Sequence, residues 1–440
     1  MPSQRLFKPS SLAARKSLPQ RRNPAAKAAM RAADATGNVP SSDTFDTSLP
    51  LLGGLSARQF MRRYWQRKPL LIRQALGGAA CGLAPEQLLA LASDEDIEAR
   101  LIQRKRKAWS LTPGPFEPEL LESLPARAWT VLLQGVNLVD AEADALLRRF
   151  RFIADARLDD VMVSYAVDGG GVGPHFDSYD VFLLQTSGRR RWRISTQSDL
   201  TLEPGQPLKI LQDFRPEQEW VLEAGDMLYL PPHIAHDGVA VGDDCVTYSI
   251  GFRAPAYREL LGEFFHTLAE RIESGEFEEA ARNQRTASSI VSGRYQDAGA
   301  LPTAAPAELP PRLVDELATR LLRVECNSYE VSTFLGTYLS EPKPQVFFDG
   351  PQRPLSLERF IARSSARGLQ VDSKSILLYD ARNFYMNGDT LQPPRESRAA
   401  LRTLANSRRM SSQSFVTFSN DSSLTLLLHG WYLAGWIRVA

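Results

Sequence analysis

The sequence predicts an α+β protein built around an antiparallel β-sandwich or barrel. Two observations carry this. Between residues 161 and 252 the apolar residues fall into six short runs, 161–167, 181–185, 189–194, 220–222, 227–230 and 246–252, separated by Gly and Pro with no helical repeat between them. Beyond 252 the apolar spacing lengthens to that of a helix.

In chain order, the opening is polar and basic. Residues 1–31 hold Arg5, Lys8, Arg15, Lys16, Arg21, Arg22, Lys27 and Arg31 and no acid. This composition suits a disordered tail (1–47), read as a solvated linker, an RNA-touching arm or a mitochondrial presequence; it lacks the apolar centre of a secretory signal. Residues 57–65 read as an amphipathic helix, 69–73 as a short buried strand and 128–136 as a further buried element around Trp129. After the β-rich region, Tyr257, Leu260, Leu261, Phe264, Phe265, Leu268 and Ile272 recur at helical spacing, a stripe for core packing or a partner helix. Pro- and Ala-rich 304–311 reads as a linker. A last domain then mixes helices at 313–323, 355–365 and 396–407 with a hairpin at Asn387-Gly388.

Composition excludes several classes of function. The 440 residues are 43% hydrophobic and 23% charged, which is ordinary globular usage, with length for two or three domains. The most apolar stretch, 424–437, is interrupted by His429 and Gly430, so no membrane span is expected. A net charge of +1 gives no whole-chain attraction to nucleic acid or lipid. Cys81, Cys245 and Cys326 are scattered, which argues against a disulfide framework or thiolate zinc site and suits a reducing, cytoplasmic setting.

Histidine is scarce, and three of the five, His175, His233 and His236, lie close together in sequence. In Asp168-Gly-Gly-Gly-Val-Gly-Pro-His175-Phe-Asp177, strand alternation would place the imidazole and the carboxylate on one face. A second run, Gly225-Asp-Met-Leu-Tyr-Leu-Pro-Pro-His233-Ile-Ala-His236, ends a strand in a turn followed by histidines. His233 and His236 compete for a third ligand position. His236 is preferred because it lies further past the turn, where a side chain can point back at the sheet, and His233 is placed at the rim. Two histidines and one carboxylate with open positions suit non-haem Fe(II) in O2 chemistry, whereas zinc closes tetrahedrally and magnesium prefers oxygen ligands.

Within Gly188-Arg-Arg-Arg-Trp-Arg193, alternation turns Arg190 to the same face as Trp192 and Ile194. A guanidinium buried among apolar residues needs an anion, either a protein carboxylate or a ligand. A 2-oxo acid with a distal carboxylate, which describes 2-oxoglutarate, would chelate the metal at one end and meet the arginine fork at the other. Ser164, on the small-residue face Met162, Ser164 and Ala166, would donate to the same carboxylate. His266 and His429 read as histidines within or beside packed elements.

These runs, with Tyr179-Asp-Val-Phe182 and Tyr248-Ser-Ile-Gly-Phe-Arg-Ala-Pro255, resemble the bacterial ribosomal oxygenases. These are Jumonji-C-type cupins that hydroxylate an arginine (3-hydroxylation) of the large-subunit ribosomal protein L-sixteen. The resemblance implies a double-stranded β-helix (cupin jelly-roll) over 48–253, a helical dimerisation segment over 254–303 and a winged-helix-like domain over 304–440. It implies Fe(II) held by His175, Asp177 and His236, and 2-oxoglutarate held by Arg190 and Ser164, with O2 as the other co-substrate. Thr247 and His233 depart from it, standing where relatives tend to carry an amide side chain and Gly. For an arginine target, Asp168, Asp180 and Asp237 are the nearest acids in sequence. Between 351 and 410 there are eleven Lys/Arg against five Asp/Glu, which fits either an rRNA contact or a solvated helix face. Two other expectations stand beside this one: a Jumonji-type hydroxylase or demethylase of another protein, and a non-catalytic metal-binding cupin with a winged-helix interaction domain.

Overall fold

The structure is a computed structural model that describes residues 45–76, 82–106, 108–274, 294–296, 309–322 and 327–440. Most of the tail, most of the linker and much of 254–303 lie outside the described residues, as do Cys81 and Cys326.

Eleven strands among the described residues form the N-terminal body: β1 (Leu70–Ile72), β2 (Ala99–Lys105), β3 (Ala108–Pro113), β4 (Trp129–Leu133), β5 (Leu158–Ala166), β6 (Val181–Ser187), β7 (Arg189–Ser195), β8 (Gln218–Glu223), β9 (Met227–Leu230), β10 (Ala235–Ala240) and β11 (Cys245–Phe252). The large sheet runs β1-β9-β6-β11-β5-β4-β2-β3 and the small one β10-β7-β8. Single bridges from Gly171 to Val239 and from His175 to His236 lay the Gly-rich segment along β10 as a further edge of the small sheet. This is the expected double-stranded β-helix.

Alternation sorts the large sheet into two faces. On its outer face Val161, Val163 and Tyr165 of β5 join Val246, Tyr248 and Ile250 of β11 and Phe182 and Leu184 of β6 in one core with the flanking helices α1 (Ala57–Arg63) and α4 (Ala141–Arg148). The helices α2 (Pro85–Ala92) and α3 (Pro118–Glu122) lie between them in sequence. Phe60 of α1 packs edge-on to Tyr229 at 4.9 Å between ring centroids, and Phe150 meets Phe182 at 4.7 Å. Truncating Phe60 to Ala would cost about 3–5 kcal/mol in such a setting. The inner face is different. It carries Ser164, Thr247 and Gln185 side by side across β5, β11 and β6, all buried. Beside this polar row, Val181 and Leu183 of β6 and Leu228 and Leu230 of β9 pack against Trp192, Ile194 and Leu222 of the small sheet.

After β11 comes α5 (Tyr257–Glu273), whose apolar stripe splits in two. Phe264 packs on Phe334 of α7 (Ser328–Ser340) at 5.4 Å, whereas Tyr257, Leu261 and Phe265 are exposed. α6 (Pro311–Leu321) precedes α7. The C-terminal body then contains α8 (Leu357–Arg367), α9 (Arg398–Ser407), α10 (Ser412–Phe418) and α11 (Ser422–Leu433) with the short strands β12 (Leu369–Val371) to β17 (Ile437–Val439). Asn387 and Gly388 both have positive φ, 53° and 91°, as the expected two-residue hairpin turn requires.

The two bodies are pinned together by polar contacts. Lys343 reaches back to Asp159 at 3.0 Å and Asp160 at 2.9 Å on β5. Arg151 forks onto the carbonyls of Ala405 and Asn406 at the end of α9, where a cation complements the helix dipole.

Candidate functional site

His175, Asp177 and His236 converge, with one ligand atom of each lying within 4.8 Å of the others. They reach this point on two adjacent segments, because His175 and His236 exchange backbone hydrogen bonds of 2.9 and 2.8 Å. Their rings are 4.2 Å apart between centroids, and His236 Nε2 is 3.6 Å from an Asp177 oxygen. Each histidine is oriented through its other nitrogen: Nδ1 of His175 lies 2.8 Å from the Gly173 carbonyl and Nδ1 of His236 lies 2.9 Å from the Ile234 carbonyl. A carbonyl only accepts, so each Nδ1 carries the proton and each Nε2 offers its lone pair to the site. Burial, followed by the neighbouring His175, pushes the His236 imidazole down to about 4, so it is neutral, as a metal ligand must be. Two imidazoles and one carboxylate fit a non-haem Fe(II) donor set.

His233 is not part of this cluster. Its φ is +65°, its side chain is exposed at the rim beside Phe176, and only its backbone N–H, 2.7 Å from the Asp177 carbonyl, serves the site. The turn thus spends His233 on chain reversal and lets β10 begin at Ala235, which turns His236 inward.

Arg190, Trp192 and Ile194 are buried together, as alternation predicts. Arg190 is 3% exposed and lies across β10 from Ala240. One guanidinium nitrogen donates to Ser164 Oγ at 2.7 Å, Nε has no partner, and among the described residues no carboxylate pairs with it. An internal salt bridge therefore does not explain this cation. A buried guanidinium with a single hydroxyl partner has the capacity to accept an anion.

Several residues with roles here gave no clear signal in sequence. Tyr179 hydrogen-bonds Asp177; partial desolvation of its hydroxyl, in a residue still 39% exposed, and then that carboxylate raise its phenol above the ordinary range, so it stays a donor. Thr247 donates to Gln185 Oε1 at 2.8 Å, so an amide absent at 247 stands on the neighbouring strand. The sequence-nearest acids are already engaged. Asp180 is buried and accepts from Tyr229 and Gln66, Asp237 is buried against Arg193 at 2.6 Å, and Asp168 pairs with Arg127 at 2.7 Å. His429 meets the Leu355 carbonyl, as a packed histidine should, while His266 is exposed on α5 beside Glu270.

Comparison with known proteins bears on this arrangement. The JmjC domain family matches residues 145–260, and the ROXA-like winged helix family matches 325–438. The Ribosomal protein uL16 3-hydroxylase of Escherichia coli K12 is 29% identical over 371 residues, spanning 84% of this chain and 94% of that protein. An X-ray structure of E. coli YcfD, called a ribosomal oxygenase in further structures of it, shares 30% identity at a TM-score of 0.75, covering 87% of this chain and 98% of that one. The chain belongs to the JmjC ribosomal oxygenases. It is therefore an oxygenase, with a C-terminal winged helix. A probable ribosomal oxygenase of Haemophilus influenzae is 39% identical over 206 residues, 46% of this chain and 50% of that protein. YcfD has also been seen with cobalt and 2-oxoglutarate, in a structure 29% identical to this ribosomal oxygenase at a TM-score of 0.72. Among the described residues no helix is long and apolar enough to cross a membrane.

Proposed function

We propose that this chain is an Fe(II)- and 2-oxoglutarate-dependent hydroxylase of an arginine side chain on the large-subunit ribosomal protein L-sixteen. The observation that carries the co-substrate is Arg190, a buried guanidinium bonded to Ser164 and, among the described residues, to no carboxylate, on the same inner surface as the triad. The substrate class follows the 3-hydroxylase relative, which spans nearly the whole of its own length in the match.

In this reading His175, Asp177 and His236 hold the iron, and Arg190 with Ser164 holds the distal carboxylate of 2-oxoglutarate. The bound iron supplies the oxidation of an unreactive C–H bond by O2, coupled to conversion of 2-oxoglutarate to succinate and CO2. The protein's own part is orientation and dryness. The Gly173 and Ile234 carbonyls fix the two imidazoles, Tyr179 fixes Asp177, and the apolar wall of Val181, Leu183 and Leu228 keeps water from the inner face.

The domain limits 48–253, 254–303 and 304–440 belong to this proposal, as do a cytoplasmic location and a homodimer formed through the exposed edge of α5. For the basic C-terminal body the proposal includes contact with rRNA. The test compares L-sixteen by intact-protein mass spectrometry from cells with and without the gene, and then from cells carrying His175→Ala. An added oxygen mass that needs the intact gene supports the reading. Unmodified L-sixteen in all three, with 2-oxoglutarate turnover retained in vitro, would move the substrate to another protein.

A further inference from the structure

Trp192 stands two residues beyond Arg190 on the inward face of β7, between the guanidinium and the triad. Its ring centroid is 5.8 Å from Arg190 Cζ and 5.9 Å from the His236 ring. Across the sheet its register partner is Gly238 of β10. A Cβ at Gly238 would lie 2.6 Å from the six-membered ring of the indole, so the missing side chain is what lets the ring lie over β10. That contact is made by the benzo carbons of the ring.

The indole is buried, and among the described residues Nε1–H has no acceptor. Its packing partners Val181, Leu183, Leu222 and Leu228 offer none from their side chains. A buried donor without a partner costs about 1–3 kcal/mol, which a structure retains when something else completes the bond. Arg190 Nε, two residues away on the same face, is unpartnered as well. The cation and the indole between it and His236 thus each carry an unpartnered donor.

We propose that Trp192 is a positioning residue for the 2-oxo dicarboxylate: its indole N–H donates to the bound co-substrate, its ring walls the methylene segment, and with Gly238 it sets the chain length accepted. The proposal rests on the reading of Arg190 and the triad as a 2-oxoglutarate site.

The test uses the full chain loaded with Zn(II), with 15N-labelled tryptophan. Of the seven tryptophan indole signals, that of Trp192 is assigned by its loss in Trp192→Phe. On titration with 2-oxoglutarate the Trp192 N–H signal should move downfield. In Mn(II)-loaded protein, calorimetry should give Trp192→Phe a 2-oxoglutarate Kd raised by about tenfold, a metal Kd within about twofold of wild type, and weaker discrimination against the longer homologue 2-oxoadipate. A Trp192 signal that stays in place while 2-oxoglutarate saturates the wild type would overturn the proposal, even if Trp192→Phe fails to fold. So would a folded Trp192→Phe with an unchanged Kd. Absence of saturable binding to wild type would defeat the co-substrate reading itself, and this proposal with it.

Discussion

Replacing Arg190 by Met should move affinity and stability in opposite directions. Met roughly keeps the volume of the side chain and removes its charge. Arg190 is 3% exposed and among the described residues has one hydroxyl partner at 2.7 Å and an unpartnered Nε, so its desolvation is poorly offset. Exchange of a buried charge for a well-packed apolar group is commonly neutral or stabilising by about 1–4 kcal/mol, which would raise Tm by roughly 2–4 °C for each kcal/mol in a domain of this size. Binding responds the other way. Removing one partner of a buried, hydrogen-bonded charge pair costs about 2–5 kcal/mol, so the 2-oxoglutarate Kd should rise between about 30-fold and a few thousand-fold. Calorimetry on Mn(II)-loaded protein measures the affinity, and melting of the ligand-free protein measures the stability. An Arg190→Met protein that is several kcal/mol less stable yet binds 2-oxoglutarate normally would refute the assignment, because the cation would then serve the fold alone.

Three other outcomes are expected. His233→Gly relieves a left-handed backbone at a non-glycine residue and should stabilise the protein by up to about 1 kcal/mol, since Gly also loses more freedom on folding; a marked drop in Tm would show that the imidazole holds a contact of its own. Leu261→Glu combined with Phe265→Glu places charges on the bare edge of α5, where each apolar side chain would contribute about 1.5–3 kcal/mol if fully covered, so light scattering should report monomers; an unchanged mass counts against that interface. Burial works to raise the Asp380 carboxyl, but hydrogen bonds from the Asn383 and Arg382 N–H groups and from the Ser332 and Tyr385 hydroxyls outweigh it and hold it at about 2, below its ordinary 3.8. The fold therefore favours the ionised form: its contribution is complete above the ordinary value and fades as pH falls from about 4 to about 2. Asp380→Asn should flatten the acid limb of the melting profile in that window, and an identical limb would contradict it.

The inner face was legible in sequence where alternation was clean. Arg190, Trp192 and Ile194 share a burial class because β7 keeps period two from Arg189 to Ile194, whereas on β5 Ser164 and Ala166 are buried but Met162 is only half-buried. The ligand cluster was legible because histidine is rare in this chain. What escaped had no such period. β2 places Leu101 and Ile102 on opposite faces and buries both, which erases the alternating signal. β10 is not among the six apolar runs because Gly238 breaks its pattern, and that glycine is explained by the indole on the strand opposite it. Likewise the acids near the motifs looked available by number, but Asp180 and Asp237 are consumed by partners distant in sequence, Tyr229 and Arg193.

The reach of Lys343 onto Asp159 and Asp160 bears on how the chain can be dissected. Asp160 is buried, and apart from Lys343 its carboxylate is met by Gln134 at 2.7 Å. It sits four residues before Ser164 on one strand. A fragment ending after β11 would strand that carboxylate in a half-emptied seam, so poor behaviour of an isolated N-terminal half would measure a missing counter-charge and say little about whether the winged helix takes part in chemistry. Lys343→Met in the whole protein is the fairer dissection, for it removes that one counter-charge while the Arg151 contacts to Ala405 and Asn406 still hold the two bodies together.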